Sequence, residues 1–247
     1  MKETEQDMVY GLRPVMEAIS SGKEIEKVLV QNGLSGTLAS ELKRILVDEK
    51  IPFQFVPPEK LNRVTRSNHQ GVICFISPVA YGSIETLLPG IFESGRIPLL
   101  LLLDRITDVR NFGAIARTAE CAGADAIIIP RHGAALISSD AVKTSAGALH
   151  SIPVCREQNL KLTIEYLKQS GVQILSCTEK GKVPFYKADL TIPTAIILGS
   201  EEDGVLEDYI KRSDHSISIP LLGKIGSLNV SVACGVFLFE AVKQRAN

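Results

Sequence analysis

Tryptophan is absent from the sequence and aromatic residues make up only 5% of it. That argues against base-stacking sheets and carbohydrate platforms, which depend on exposed rings. An excess of either charge is also missing: 27 Lys and Arg stand against 28 Asp and Glu, a formal net charge of -1. No global basic field announces a nucleic-acid binder, and no acidic block reads as a disordered tail. Residues 1–96 carry 11 basic and 12 acidic side chains and residues 97–247 carry 16 of each, so any RNA contact must be local. The five cysteines (Cys74, Cys121, Cys155, Cys177, Cys234) are odd in number, far apart and never in a C-x-x-C pair, and read as reduced structural thiols. Long hydrophobic runs are lacking as well. The longest, Pro98 to Leu103, stops at Asp104, and the opening MKETEQDMVYG is polar where a signal peptide is apolar, so a cytoplasmic chain, neither exported nor membrane-embedded, is expected.

The familiar nucleotide and metal motifs are missing too. None of the 19 glycines forms G-x-G, which removes the dinucleotide fingerprint. GSEEDG has the glycine spacing of a phosphate loop, but Val205 and Leu206 follow where Lys and Ser/Thr are required, and three acids inside it repel phosphate. His69, His132, His150 and His215 are too scattered for a metal pattern, so no metal is expected, and no G-x-S-x-G elbow is present.

What remains is an ordinary globular composition, 45% hydrophobic and 22% charged over 247 residues, enough for one or two domains at ~150 residues each. Short apolar runs alternate with amphipathic segments, the pattern of an α/β fold around a largely parallel sheet. The first set comprises the helix LRPVMEAIS closed by Gly22, a strand around Glu26–Val30, a helix from Thr37 to Asp48, a strand over Phe53–Val56, the Pro-started helix PPEKLNRV and the strand GVICFIS. Pro, Gly and Ser flank one apolar helical stretch between Pro78 and Arg96, marking a boundary near Tyr81. The expected organisation is a small α/β domain over 1–78, a linker over 79–96 and a larger domain over 97–247. In the latter, LLLLL, AIIIP and AIILG read as strands buried on both faces, with helices over Asn111–Ala122, near Ser138, over Leu160–Gln169 and from Asn229 to Gln244.

Three segments put polar residues where such strands end. In DRITDVRNFGAIARTAECAG a helix starts near Asn111, whose amide is expected to cap it, and Gly113 allows close backbone approach. Arg117 shares a helix face with Ala114 and Cys121; it either snorkels to a surface carboxylate or sits over a phosphate or reacting oxygen. The second segment, AIILGSEEDGV, opens a buried strand into an acidic turn at the edge where open α/β sheets bind ligands. The third, SISIPLLGKIGSLNVSVACGVFLFEA, sends Ser227 and Asn229 straight into an apolar helix, where an N-cap is the minimal role.

Together these segments resemble the SpoU branch of the SPOUT RNA methyltransferases, the TrmH-type ribose 2'-O-methyltransferases. N-x-G-x-x-x-R appears as Asn111, Gly113 and Arg117; G-x-E as Gly199 and Glu201; and the run from Ile219 to Ala233 as I-P-x-x-G-x-x-x-S-L-N-V-S-V-A. The opening VYGLRPVMEAI and the segment NHQGVICFI resemble the family's amino-terminal RNA-binding domain, which has an L30e-like fold. The chain departs from the family at two points: Val109 stands where Pro often precedes N-x-G, and Glu202 where Gly commonly follows the motif Glu.

The resemblance implies a trefoil-knotted methyltransferase domain, a homodimer formed through the final helix, and S-adenosylmethionine-dependent 2'-O-methylation of a guanosine ribose in 23S rRNA, free or in a large-subunit assembly intermediate. It implies that backbone groups at Gly199, Ile219 and Leu228 hold the adenosine and that Leu198, Leu221 and Leu222 supply apolar surface. Arg117 is the implied catalytic residue, binding a phosphate and stabilising the developing alkoxide. Asn111 and Ser227 position the ribose or phosphate, Glu201 orients the arginine and Asn229 closes the loop. Lys60, Arg63, Arg66 and His69 form a local basic cluster for RNA. Three alternatives stay open on sequence: a tRNA ribose methyltransferase, a methyltransferase acting on another rRNA loop, and a catalytically silent ribosome-assembly factor.

Overall fold

The computed structural model describes residues 8–246, so residues 1–7 and Asn247, which the expected domains include, lie outside the described residues. The chain divides into two compact units, one running to Ala80 and including Leu136–Ser139, the other holding Tyr81–Ala135 and the chain from Asp140 onward.

The first unit contains β1 (Met8–Tyr10), α1 (Leu12–Ser20), β2 (Ile25–Gln31), α2 (Thr37–Asp48), β3 (Phe53–Val56), α3 (Pro58–Val64) and β4 (Val72–Ile76). Its sheet has the order β1-β4-β2-β3, with only the β2–β3 pair parallel. Alternating side chains send Val28, Val30 and Cys74 to one face, where Val15 of α1 and Leu42 and Leu46 of α2 cover them. Leu29, Val56 and Ile73 go to the other face, under Leu61 of α3. β1 is absent from the sequence expectation because three residues are too few for a period-2 signal before an amphipathic helix.

The second unit begins with β5 (Tyr81–Gly82), α4 (Ile84–Glu93), β6 (Leu99–Leu103), α5 (Val109–Cys121), β7 (Ala126–Pro130), α6 (Ser139–Thr144) and β8 (Val154–Glu157). It continues with α7 (Leu160–Gln169), β9 (Gln173–Cys177), β10 (Val183–Pro184), β11 (Thr194–Leu198), α8 (Glu207–Arg212), β12 (His215–Ser218) and α9 (Val230–Arg245). Eight strands form one sheet in the order β10-β12-β9-β11-β6-β7-β8-β5, and every pairing is parallel. β6 and β11 lie side by side at its middle, Leu103 opposite Leu198, and every residue of both strands is buried. This is the continuous-apolar signature of a sheet covered on both faces.

The stretch expected as a linker belongs to this unit. β5 pairs with β8, and Ile84, Leu88 and Ile91, at i, i+4 and i+7 on α4, are buried against Leu100, Ile128 and Ile197. Its flanking Pro, Gly and Ser mark helix ends instead of a solvated tether. β8 has only two apolar residues and α8 is largely charged, so neither carried a periodicity.

α9 is apolar nearly all round: it buries Cys234, Phe237 and Leu238, packs against α5, and still leaves Val232 and Phe239 half exposed. Near its end, Arg245 donates to the carbonyls of Ile97, Pro98, Leu190 and Ile192. Gly113 on α5 is set against α6, where a Cβ would lie 2.7 Å from Thr144 Cβ; the close approach its sequence suggested is helix on helix. Among the described residues no helix is long and apolar enough to cross a membrane.

Candidate active site

The carboxyl ends of β6, β11 and β12 lie on one edge of the parallel sheet, and the segments that follow them close on one another through side-chain hydrogen bonds. α5 starts two residues earlier than its apolar pattern suggested. Its N-cap is Asp108, whose carboxylate accepts from Asn111 N–H at 2.8 Å, and not Asn111. Val109 therefore occupies the first helical position, where a proline's missing N–H would be harmless, and Asp108 fixes the turn without it. The Asn111 side chain is thereby free for a different bond.

That bond is made by Asn229, the N-cap of α9. Its Oδ1 accepts from Ser231 N–H at 3.0 Å and from Ser231 Oγ at 2.6 Å, and the backbone donor identifies that end of the amide as the oxygen. Its Nδ2 then donates to Asn111 Oδ1 at 3.0 Å and to Glu201 Oε1 at 2.6 Å. One amide uses all its hydrogen-bonding capacity to cap a helix and join the start of α5 to the loop after β11.

Glu201 is thus held by Asn229 and not by Arg117, contrary to its expected role. The Arg117 side chain is exposed on α5 and makes no hydrogen bond or ion pair with any described residue; Cys121, expected to share its packed face, is exposed as well. Ser227 is exposed at the rim.

Beneath this junction lies a cleft of about 670 Å³, within the usual range for a small-molecule site. Leu198, Gly199, Ile219, Leu221 and Leu228 line it, as do Glu201, Ser227 and Asn229. Leu222 does not: beyond Pro220 the loop turns outward and leaves that side chain fully exposed, so it supplies no apolar wall. Sequence reasoning missed Cys177–Lys180, the wall at the end of β9, and Phe237 on α9. The available signal was QILSC ending in polar TEKGK beside a strand already suspected of bearing ligand residues.

Gly199 decides the shape of the floor. A Cβ there would lie 2.0 Å from Gly204 C and 2.1 Å from Val205 N, so the loop folds back on itself only because the side chain is absent. Glu179, Glu201, Glu202 and Asp203 face the cleft; Lys180 is the one cationic side chain of its lining and Asp203 is paired with Arg105 from outside it, which leaves the walls net acidic and favourable to a cation. Burial pushes the Cys234 thiol up to about 12, and burial, then Cys234, hold Cys177 well above 9.0, so neither is a thiolate near neutral pH. Among the described residues, no three His, Cys, Asp or Glu are grouped to hold a metal ion.

In the first unit, Lys60, Arg63 and Arg66 are exposed on α3 and the turn after it, and their side chains make no hydrogen bond or ion pair with any described residue. His69 differs from the free cation expected. Its Nδ1 accepts from Gly71 N–H at 3.0 Å, which places the ring proton on Nε2, 3.0 Å from Asn62 Oδ1. It pins the turn into β4.

Comparison with known proteins matches this geometry to a family. The SpoU rRNA methylase family matches residues 98–239, and the domain described as RNA 2'-O ribose methyltransferase substrate binding matches residues 8–82. The chain belongs to the SpoU rRNA methylase family. A Staphylococcus saprophyticus protein assigned to the TrmH family of tRNA/rRNA methyltransferases is 33% identical, covering 98% of this chain and 97% of its own. The AdoMet-bound rRNA methyltransferase from Sinorhizobium meliloti superposes with a TM-score of 0.62 at 25% identity, covering 96% of this chain and 87% of that one. The A. aeolicus TrmH/SpoU tRNA modifying enzyme gives 0.57 at 29% identity but covers only 66% of this chain and 84% of its own.

This SpoU methylase is an S-adenosylmethionine-dependent RNA 2'-O-ribose methyltransferase with an amino-terminal substrate-binding domain. The cleft suits that cofactor: its glycine floor lets the loop fold back tightly, its walls mix apolar and polar surface, and its charge balance favours a sulfonium cation.

Proposed function

We propose that this enzyme methylates the ribose 2'-oxygen of a guanosine in 23S rRNA, as free RNA or within a large-subunit assembly intermediate. The carrying observation is that the rRNA methyltransferase structure matches both units, whereas the tRNA modifying enzyme covers only 66% of this chain. A domain devoted to substrate binding suits recognition by shape and an exposed loop, since neither half of the chain is basic overall.

In this reading, backbone groups at Gly199, Ile219 and Leu228 hold the adenosine, with Leu198 and Leu221 beside it. S-adenosylmethionine supplies a methyl group on a positive sulfur, open to attack by an oxygen. Arg117, exposed and unpaired, is available to grip a substrate phosphate and to stabilise charge developing on the 2'-oxygen. A guanidinium stays protonated, so the proton passes to the phosphate or to water. Asn111 and Ser227 orient the ribose, and Asn229 and Glu201 keep the two loops in register. Lys60, Arg63 and Arg66 contact the RNA backbone. The unit that runs to Ala80 acts as the RNA-binding domain and the unit from Tyr81, with β5 and α4, as the trefoil-knotted methyltransferase domain of a cytoplasmic homodimer; the exposed Val232 and Phe239 on α9 support a second copy as their cover.

The test is incubation with methyl-labelled S-adenosylmethionine and unmodified total RNA, followed by nucleoside mass spectrometry. The expected product is 2'-O-methylguanosine confined to 23S rRNA; label confined to tRNA overturns the substrate assignment. Arg117→Lys should lower transfer about 100-fold, the scale of losing a preorganised transition-state donor. Near-wild-type transfer by that variant refutes the role given to the guanidinium.

A further inference from the structure

A buried carboxylate and a strained arginine lie behind the cofactor loop, and no step in the transfer chemistry uses them. Asp104, at the end of β6, is 1% exposed. Its N–H donates to Leu198 O at 2.8 Å, where the loop begins, and its Oδ2 accepts from Leu206 N–H at 2.8 Å, where the loop ends. The next residue, Arg105, has a φ of +57°, a left-handed conformation that disfavours a side chain. Its Nε and Nη2 donate to Asp104 at 3.1 and 3.3 Å, Nη2 also reaches Gly204 O at 3.0 Å, and Nη1 reaches Asp203 Oδ2 at 2.9 Å.

We infer that Asp104 and Arg105 are positioning residues that brace the loop from Gly199 to Leu206 in its cofactor-ready shape. Entry, tip and exit of the loop are all tied to this two-residue unit. The loop's own bonds are few: Gly204 N–H to Ser200 O at 2.9 Å and Asp203 N–H to Ser200 Oγ at 3.1 Å. One side of the loop lines the cleft and carries Glu201; Arg105 holds it from outside the cleft lining. A glycine would adopt the left-handed backbone freely, so the guanidinium bonds are what offset the strain of an arginine there. The brace settles the loop before the cofactor arrives, and its loss shifts the cost of ordering onto binding.

Arg105→Gly removes the brace while relieving the backbone, and the split between Kd and kcat separates this role from a general loss of stability. Calorimetric titration with S-adenosylmethionine alone should show Kd raised about tenfold, the scale of losing one charge-assisted hydrogen bond. KM for the cofactor should follow, with kcat at saturating cofactor within about twofold and KM for RNA unmoved; the melting temperature should fall, because backbone relief only partly offsets the loss of the counter-charge to the buried Asp104 carboxylate. Arg105→Lys should recover only part of the affinity, since one ammonium cannot span Asp104, Gly204 and Asp203 together. Asp203→Ala, at an exposed position that keeps the other bonds, should give a smaller rise in Kd. Wild-type affinity in Arg105→Gly, full recovery by Arg105→Lys, or a fall in kcat at saturation with Kd unchanged overturns the brace. The wild-type titration separately tests cofactor binding.

Discussion

Asn229 has two separable duties, and substitution can divide them. Asn229→Ala removes the cap of α9, worth about 1 kcal/mol. It also removes both Nδ2 bonds, which lie at the surface and contribute about 0.5 kcal/mol each, the low end for hydrogen bonds. The sum, about 2 kcal/mol, corresponds to a melting-temperature drop of roughly 6 °C for a unit of this size. Asn229→Ser keeps an oxygen able to cap the helix and loses only the link to Asn111 and Glu201, so it should melt about 3 °C below wild type. Transfer should fall in both, by about 100-fold, because a shift of ~1 Å between the start of α5 and the loop after β11 misplaces the groups that orient the ribose. Asn229→Asp also keeps the cap, but sets a carboxylate oxygen where an N–H met Glu201 at 2.6 Å, so it should be no more active than the serine variant. The measurements are calorimetric melting and single-turnover methyl transfer. If Asn229→Ser transfers at the wild-type rate, the link is dispensable; if alanine and serine variants melt together, the cap contributes nothing.

Two further perturbations probe the cleft and its surroundings. Gly199→Ala sets a methyl 2.0 Å from the Gly204 backbone and should cost about 1–3 kcal/mol of stability while abolishing cofactor binding at concentrations that saturate wild type; a variant that melts and binds like wild type refutes the doubled-back loop. Iodoacetamide near neutral pH should label Cys121, the exposed thiol, before any other. Burial raises Cys74, Cys155 and Cys234 to about 12 each and holds Cys177 higher than its usual value, so peptide mapping that finds those four modified first contradicts their placement.

Much of the fold was legible because its strongest elements are locally unambiguous. LLLLL, AIIIP and TAIIL are too apolar for a half-exposed strand, and α2, β3 and α7 carry clear periodicities between turn residues. The elements that escaped are short or polar, β1, β5, β8, β10 and α8, and exist because neighbours in space complete them. In the site, motif positions identified Asn111, Glu201 and Asn229 but not their wiring. Nothing in the order of residues tells an asparagine that caps from one that also bridges to a helix 118 positions away. Leu222 shows the converse: its apolar character suggested a wall, but the turn after Pro220 leaves it in solvent.

The seam between β6 and β11 carries a cost during synthesis. Leu103 and Leu198 are about 95 positions apart, so the central strand of the sheet waits, without its main neighbour, while most of the second unit is being made. Pairings of such long range close slowly, and until then a run of five leucines, paired with β7 on one edge only, leaves its other edge open to the same run in other nascent chains. Recovery after denaturation should therefore depend steeply on protein concentration. The leucines that seal the folded sheet are the ones that must be kept apart while it forms.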